Sequence, residues 1–390
     1  MLLDTSRIAG VVFRGASKKK RIAPNERSQQ VSTRRAVLAD LDRLKREAVD
    51  IDEMQGRLAA FIGAQTGVAA VTVTGLRQLP GGASRETWSL DTEYDKDGTK
   101  VRLPLVLRRD PSASGVQSLR RDEFVLLGAA ERAGVPVPKV HWIAEGADVL
   151  GTPFFLMQRV EGETIARRLL RDDEFSEARK VIPQQLGAIL ARIHSIHPTA
   201  EKLDFLTAPA AGESPAESEL NRYEQIYRSI APDPHPAIEL AVRQLRIQPP
   251  ATKALAVVHG DYRVGNVICG PEGVRAVLDW ELAHLGDPME DLGWLCVRAW
   301  RFGNDHLPVG GMGTREQLFA AYEAASGSRV DPAEVYYWEL FGNLKWAIIC
   351  IMQAKTHLDG SRNSVEHASL GRRISEVELE LLNLLEDGGV

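Results

Sequence analysis

After Gly67 the hydrophobic pattern of the chain changes from helical spacing to the short alternating runs of β-strands, and this change constrains the fold most. Turn residues separate the runs, and a segment with helical spacing, 118–134, lies between the third and the fourth. The β-like runs are 68–82, 86–94, 101–109, 135–145 and 152–160. The sequence therefore predicts a first lobe of order β-β-β-α-β-β, built on an antiparallel sheet.

Beyond Val160 the pattern is mostly helical, which predicts a larger second lobe. One β interruption, 255–281, has two apolar runs flanking polar residues, as in a hairpin that carries a site on its loops. We therefore predict an α+β fold of two lobes. The expected organisation is a basic extension over 1–30, a sheet lobe over 31–160 and a helical lobe over 161–390.

Composition excludes several classes of protein. With 44% hydrophobic and 26% charged residues the chain is expected to be globular, and no apolar run approaches the roughly 20 residues of a membrane span. The N-terminus lacks the pattern of a secretory signal, so a cytoplasmic location is expected. A net charge of −5 argues against a nucleic-acid surface. The basic extension is interpreted as a solvated arm, with contact to an anionic surface or a partner as the alternative.

The three cysteines are Cys269, Cys296 and Cys350, and none forms a CxxC pair with another. This spacing supports neither a disulfide framework nor a cysteine-rich zinc site. We expect them to be buried as small apolar residues.

The segment that carries chemistry is HGDYRVGN, residues 259–266, followed by Asp279 at the end of an apolar run. Asn266 lies five residues after Asp261, and Asp279 lies eighteen residues after it. Phosphoryl transfer from a nucleotide needs a carboxylate that accepts the proton of the attacking hydroxyl, together with oxygen ligands for magnesium. The pattern predicts Asp261 as the base and Asn266 and Asp279 as metal ligands. Each part alone occurs by chance, but their conjunction in a two-lobed pattern favours a kinase.

Three segments together, HGDYRVGN, VLDWELAHLGDP and EDLGW, resemble the aminoglycoside phosphotransferase and choline kinase-like family, which shares its two-lobed fold with protein kinases. The similarity covers about residues 55–385. It is greatest to the branch of bacterial proteins described as aminoglycoside phosphotransferases, which is related to the kinase-like domain fused to some acyl-CoA dehydrogenases.

The resemblance implies nucleotide-binding residues in the first lobe. Gly81, Gly82 and Ser84 would form a turn whose backbone N–H groups approach phosphate oxygens, although a plain hairpin is the alternative. Arg108 would take the place of the strand lysine that holds the α- and β-phosphates, and Glu123 would fix it. Arginine departs from the general pattern of the family, and an exposed strand residue is the alternative reading of Arg108.

The resemblance also implies a hinge and supporting residues. Backbone groups near Gln158 and Val160 would bind adenine. Asp291 would hydrogen-bond the backbone of the catalytic loop, and His259 would support that loop rather than move protons. For Glu281, contact with a second metal or with substrate and a solvated carboxylate are equally open.

The predicted reaction moves the γ-phosphoryl group of ATP, with GTP as the alternative, to an alcohol bound in the helical lobe. A polycationic aminoglycoside would need a concentrated acidic pocket, which the sequence does not indicate. The resemblance to the kinase-like domain of acyl-CoA dehydrogenases implies a hydroxyacyl-type metabolite as acceptor, and this is favoured over the aminoglycoside antibiotic that the family name implies. Neither a membrane partner nor an oligomeric state is predicted.

Two other classes remain open. A non-catalytic nucleotide-binding protein would be expected to lack Asp261, Asn266 or Asp279, and all three are present. A protein kinase would show HRD, DFG and APE elements, whereas this chain has HGD and Asp-Trp-Glu and lacks APE.

Overall fold

The structure is a computed structural model that describes residues 50–79, 86–110, 120–231, 233–361 and 364–387. The basic segment 1–30 and the predicted phosphate-binding residues Gly81, Gly82 and Ser84 lie outside these ranges. The chain divides into two units, Met1–Met54 and Gln55–Val390. The structure describes residues 50–54 of the first unit, and all elements from Val71 onward belong to the second.

The sheet lobe has the predicted element order. An antiparallel sheet of five strands is ordered β1-β2-β3-β5-β4. Its strands are β1 (Val71–Gln78), β2 (Glu86–Lys96), β3 (Thr99–Arg109), β4 (Val140–Ala144) and β5 (Phe154–Gln158). Helix α1 (Ile51–Thr66) precedes β1, and α2 (Arg120–Arg132) lies between β3 and β4.

Two features of this lobe concern strand β3. Asp97 and Gly98, with φ of 55° and 76°, form the tight turn that joins β2 to β3. Strand β3 is central in the sheet, and its last five residues, 105–109, are all buried. The two arginines that end β3 are therefore held inside the protein, where unpaired charges would be costly.

Helices build the second lobe, so the predicted α+β architecture is confirmed. They are α3 (Ala166–Arg171), α4 (Ser176–His194), α5 (Pro215–Ile230), α6 (Pro236–Ile247), α7 (Met289–Cys296), α8 (Arg315–Ser326), α9 (Pro332–Leu358), α10 (Val365–Arg372) and α11 (Ile374–Asp387). Helix α9 buries large side chains such as Trp338 and Phe341 and packs against α7. The three cysteines are buried, as predicted. Among the described residues, no helix is both long and apolar enough to span a membrane.

The β interruption of this lobe differs from the predicted hairpin. Strand β7 (Val267–Gly270) pairs with β8 (Gly273–Val277) in a hairpin, but β6 (Ala256–Val258) pairs with β9 (His284–Gly286). The interpretation of the two flanking apolar runs as hairpin partners was therefore wrong. The turn at Gly270–Gly273 is short, so the runs on either side of it pair with each other. Strand β6 therefore pairs with a strand that follows later in the chain.

Candidate active site

A tight turn carries Asp261 out of strand β6. Gly260 has a φ of 75°, and a Cβ atom on it would lie 2.4 Å from the carbonyl oxygen of Leu282. A larger residue would meet both backbone strain and a backbone clash at this position. Glycine is therefore required for the loop to turn directly after the strand.

Asp291 on α7 holds this turn. Its two carboxylate oxygens accept hydrogen bonds from the backbone N–H groups of His259 at 2.8 Å and Gly260 at 2.9 Å. His194 contacts the same carboxylate at 3.2 Å. Burial works to raise the pKa of Asp291, but the hydrogen bond from His194, the neighbouring histidines and the backbone N–H of His259 outweigh it and lower that pKa. The backbone hydrogen bonds that the resemblance implied for Asp291 are present.

His259 is fully buried, and its hydrogen bonds define its state. Its Nε2 lies 3.0 Å from the carbonyl oxygen of Leu278, which can only accept, and its Nδ1 accepts from the N–H of Asp261 at 3.2 Å. This arrangement fits a neutral ring with the proton on Nε2. Burial lowers the pKa of His259, in agreement with the neutral form. The ring links the loop that carries Asp261 to the strand before Asp279, and neither of its nitrogens is free for proton transfer.

Three N–H donors surround the carboxylate of Asp261. Asn266 Nδ2 donates to Oδ2 at 2.5 Å, whereas Trp294 Nε1 and Arg263 Nε donate to Oδ1 at 2.9 and 3.1 Å. Sequence reasoning missed Trp294 and Arg263, although both belong to the segments HGDYRVGN and EDLGW. Oδ2 keeps room for one further hydrogen bond, since a carboxylate oxygen accepts two.

Asn266 and Asp279 lie at the same end of the β7–β8 hairpin. The N–H of Leu278 donates to the carbonyl oxygen of Asn266 at 2.8 Å, so Asp279 follows directly beside Asn266. Asp279 has a left-handed conformation, with φ 59° and ψ 63°, and its side chain is 48% exposed. Because Asn266 donates through Nδ2, its Oδ1 remains for another partner. An amide oxygen and an accessible carboxylate are the hard ligands that magnesium prefers, so the two residues fit that ion.

Arg108 connects the two lobes. Its Nη1 lies 2.9 Å from Oε1 of Glu123 on α2 and 3.4 Å from Oδ1 of Asp279. Arg109, in contrast, pairs with Glu86 at 2.6 Å. The structure therefore pairs Arg108, and not its neighbour, with the predicted glutamate. Arg120, which sequence reasoning missed, donates to Oε2 of Glu123 at 2.6 Å, so each oxygen of that carboxylate faces one arginine.

The predicted hinge follows β5. In the described parts of the chain the N–H of Val160 donates no hydrogen bond, whereas the N–H of Gln158 donates to the carbonyl oxygen of Lys139 at 2.8 Å. Arg159 was missed: its guanidinium donates to Ser89 Oγ at 2.9 Å and to Asp91 Oδ1 at 2.9 Å, both on β2. This arginine ties the hinge to the sheet. Glu281 is exposed on the turn Trp280–Leu282.

A buried charged network contacts the loop that carries Asp261. Lys345 Nζ on α9 donates to the carbonyl oxygen of Gly260 at 2.8 Å and lies 3.3 Å from Oε1 of Glu290. His284 Nε2 lies 3.1 Å from Oε2 of the same glutamate. Glu219, His284 and Glu290 place potential metal-ligand atoms within 4.8 Å of one another. Both carboxylates already have a cationic partner, since Arg222 pairs with Glu219 at 3.2 Å and Lys345 contacts Glu290. We therefore interpret the group as a charge-compensated support.

We expect this network to lose stability in alkaline solution. Burial alone would lower the pKa of His284, but the charge and hydrogen bond of Glu290 outweigh it and raise that pKa to about 9. The unfolded value is roughly 6.5, so the stabilisation is fully present below about pH 6.5 and is lost as the pH rises through about 9. The check is the denaturant midpoint between pH 6 and 10. His284→Gln should flatten this dependence, and an unchanged dependence in that variant would contradict the assignment.

Comparison with known proteins adds to this geometry. Residues 75–335 match the profile of the phosphotransferase enzyme family. The chain is 34% identical over 197 residues to acyl-CoA dehydrogenase family member 10 of Mus musculus, a match that covers 50% of this chain and 18% of that protein. The chain thus corresponds to under a fifth of that relative's length.

Solved structures share the fold. A protein of Ralstonia eutropha, provisionally assigned as an aminoglycoside phosphotransferase, superposes with a TM-score of 0.69 at 24% identity, over 85% of this chain and 98% of that one. A GDP complex of aminoglycoside 2'-phosphotransferase-IIIa superposes with a TM-score of 0.54 at 16% identity, over 86% and 98% of the two chains. At these identities the likeness establishes the two-lobed fold.

Proposed function

The chain belongs to the phosphotransferase enzyme family, and from this premise we propose that it moves the γ-phosphoryl group of ATP to a hydroxyl group of a small molecule. The observation that carries the proposal is Arg108, which contacts Glu123 in the sheet lobe and Asp279 in the helical lobe. A phosphate chain bound between the lobes would contact the guanidinium of Arg108 on one side and Asp279, the proposed metal ligand, on the other.

Arg108 also offers an unused donor to the nucleotide. Its Nε is buried and has no hydrogen-bond partner within the described ranges. A phosphate oxygen would satisfy this group, because arginine binds phosphate through two parallel N–H donors. In the proposed complex, Gly81, Gly82 and Ser84 approach the same phosphates, and backbone groups of Gln158 and Val160 bind the base. ATP is the proposed nucleotide, with GTP as the alternative.

In the proposed reaction the O–H bond of the acceptor breaks and its proton moves to Oδ2 of Asp261. The acceptor oxygen forms a bond to the γ-phosphorus, and the bond between that phosphorus and the bridging oxygen breaks, so that ADP leaves with the electron pair. Asn266 and Asp279 would hold magnesium, which neutralises charge on the phosphates when it is bound. Trp294 fixes the orientation of Asp261, while His259 and Asp291 fix the loop. Asp261 therefore meets the hydroxyl in a defined geometry.

For the acceptor, we propose a hydroxyacyl-type metabolite. The name of the curated relative refers to acyl-CoA substrates, although the match covers a small part of that protein. A cavity of about 420 Å³ in the helical lobe is lined by charges of both signs. These are Arg167, Arg298, Arg373, Asp305, Glu376 and Glu380. An acceptor bound in this cavity would meet no acidic excess of the kind that a polycationic aminoglycoside requires.

The proposed function predicts that ATP raises the melting temperature in the presence of magnesium and does so less without it, because a ligand of the native state stabilises it by mass action. At a free concentration 100 times Kd the gain is about 2.7 kcal/mol. Thermal unfolding with ATP, GTP and each nucleotide plus EDTA measures this effect.

Turnover identifies the acceptor. ADP release is measured with a panel of hydroxyacyl-CoA thioesters and free hydroxy acids and with a matched panel of aminoglycosides. Turnover on the aminoglycosides alone would replace the proposed acceptor with the antibiotic. Absence of stabilisation by any nucleotide would contradict the proposed function and favour a non-catalytic protein, and phosphate found on added protein alone would favour a protein kinase.

A further inference from the structure

Arg263 lies two residues after the proposed base. We propose that Arg263 is a catalytic residue whose guanidinium binds the phosphoryl group during its transfer, while its Nε orients Asp261. The inference rests on the proposed function and adds a residue to its chemistry.

The guanidinium of Arg263 is fixed on two sides. Its Nε donates to Oδ1 of Asp261 at 3.1 Å, and its Cζ lies 4.8 Å from the ring centroid of Trp300. Within the described part of the chain, its two Nη groups have no hydrogen-bond partner. The side chain as a whole is 29% exposed. An arginine that served only to orient the carboxylate would leave four N–H bonds unused beside the base.

Gly265 provides the space for this arrangement. A Cβ atom on Gly265 would lie 2.2 Å from Nη1 of Arg263 and 3.3 Å from its Cζ. Gly265 does not have a left-handed φ, so alanine would meet no backbone strain there. The glycine is therefore needed for the position of the Arg263 side chain rather than for the backbone. The substitution Gly265→Ala would therefore displace the guanidinium of Arg263 without changing its charge.

The chemistry follows from where Asp261 acts. When the acceptor hydroxyl gives its proton to Asp261, its oxygen is bonding to the γ-phosphorus, so the phosphoryl oxygens lie close to the carboxylate. Charge on those oxygens is stabilised by donors fixed in advance at the site. The planar guanidinium of Arg263 donates one N–H to Asp261 and has others free, so it can contact the carboxylate and the phosphoryl group at once.

The test uses aluminium fluoride with Mg·ADP, which imitates the phosphoryl group in transfer and requires no identified acceptor. Wild-type protein should gain stability with Mg·ADP and gain a further increment when aluminium fluoride is added. Arg263→Met should keep the Mg·ADP increment and bind aluminium fluoride about 100-fold more weakly. Gly265→Ala should reproduce this loss, and the double variant should be no worse than Arg263→Met alone, because both changes remove one interaction.

The outcomes separate the inference from the proposed function. If Mg·ADP gives no increment with wild-type protein, the proposed function fails. If Mg·ADP stabilises wild-type protein but aluminium fluoride adds nothing, or if Arg263→Met retains the full aluminium fluoride increment, the inference is overturned. Retention of that increment with reduced turnover would leave Arg263 as a positioning residue for Asp261. Arg171→Met is the matched control, since Arg171 is 78% exposed and pairs with the adjacent Asp172.

Discussion

Replacement of Asp261 by asparagine is expected to lower turnover about 100- to 10,000-fold and to leave nucleotide affinity nearly unchanged. An amide cannot take the proton of the acceptor hydroxyl. Asn266, the proposed metal ligand, stays anchored, because its Nδ2 also donates to the backbone carbonyl oxygen of residue 261 at 3.0 Å. Trp294 and Arg263 can still donate to the amide oxygen. The measurements are kcat with the acceptor found by ADP release and Kd for Mg·ATP.

A second substitution and a control make this result specific. Asp261→Ala removes the side-chain contact to Asn266 but keeps the backbone contact, so it should lose turnover as strongly as Asp261→Asn. Asp95→Asn is the matched control: Asp95 accepts from the N–H of Gly98 at 2.9 Å in the turn between β2 and β3, and asparagine can accept the same bond. Turnover near the wild-type level in either Asp261 variant would remove this residue from the role of base.

The parts of the site that could be predicted are close together in sequence or follow an element end. Asp261 and Asn266 lie within six residues, and Asp279 ends an apolar run, so local spacing was sufficient to group them. Lys345 lies 85 residues from the Gly260 carbonyl that it contacts, and Trp294 lies 33 residues from Asp261. These contacts depend on how α7 and α9 pack against the loop. Hydrophobic periodicity indicates which face of a helix is buried, but it does not indicate which partner that face meets.

Strand pairing and charge pairing had the same limit. Strand β9 has three residues, and its polar His284 is buried, so no alternating pattern marks it as the partner of β6. By residue type alone, either Arg108 or Arg109 could form an ion pair with Glu123. The structure distinguishes them because adjacent residues of a strand point to opposite faces of the sheet, and Glu123 lies on the face of Arg108.

Replacement of Lys345 by methionine is expected to destabilise the fold by about 3 to 5 kcal/mol, since it leaves Glu290 buried with one cationic partner fewer. Lys345 is 2% exposed and also lies 4.7 Å from the ring centroid of Trp294, the residue that donates to Asp261. Burial works to lower the pKa of Lys345, but Tyr223, Glu290, Glu219 and Asp261 together raise it, so the ammonium stays charged. Chemical denaturation at pH 7 measures the loss.

The matched variants decide whether charge compensation is the cause. Glu290→Gln combined with Lys345→Met removes both charges of the pair and should recover part of the lost stability. Lys355→Met, on the same helix, replaces a lysine that is 48% exposed and lies 3.9 Å from Asp359, and it should change stability by less than about 1 kcal/mol. If Lys345→Met is as mild as Lys355→Met, the buried network does not support the loop. If the double variant is as unstable as Lys345→Met alone, the lost packing and the bond to Gly260 account for the effect rather than the unpaired carboxylate.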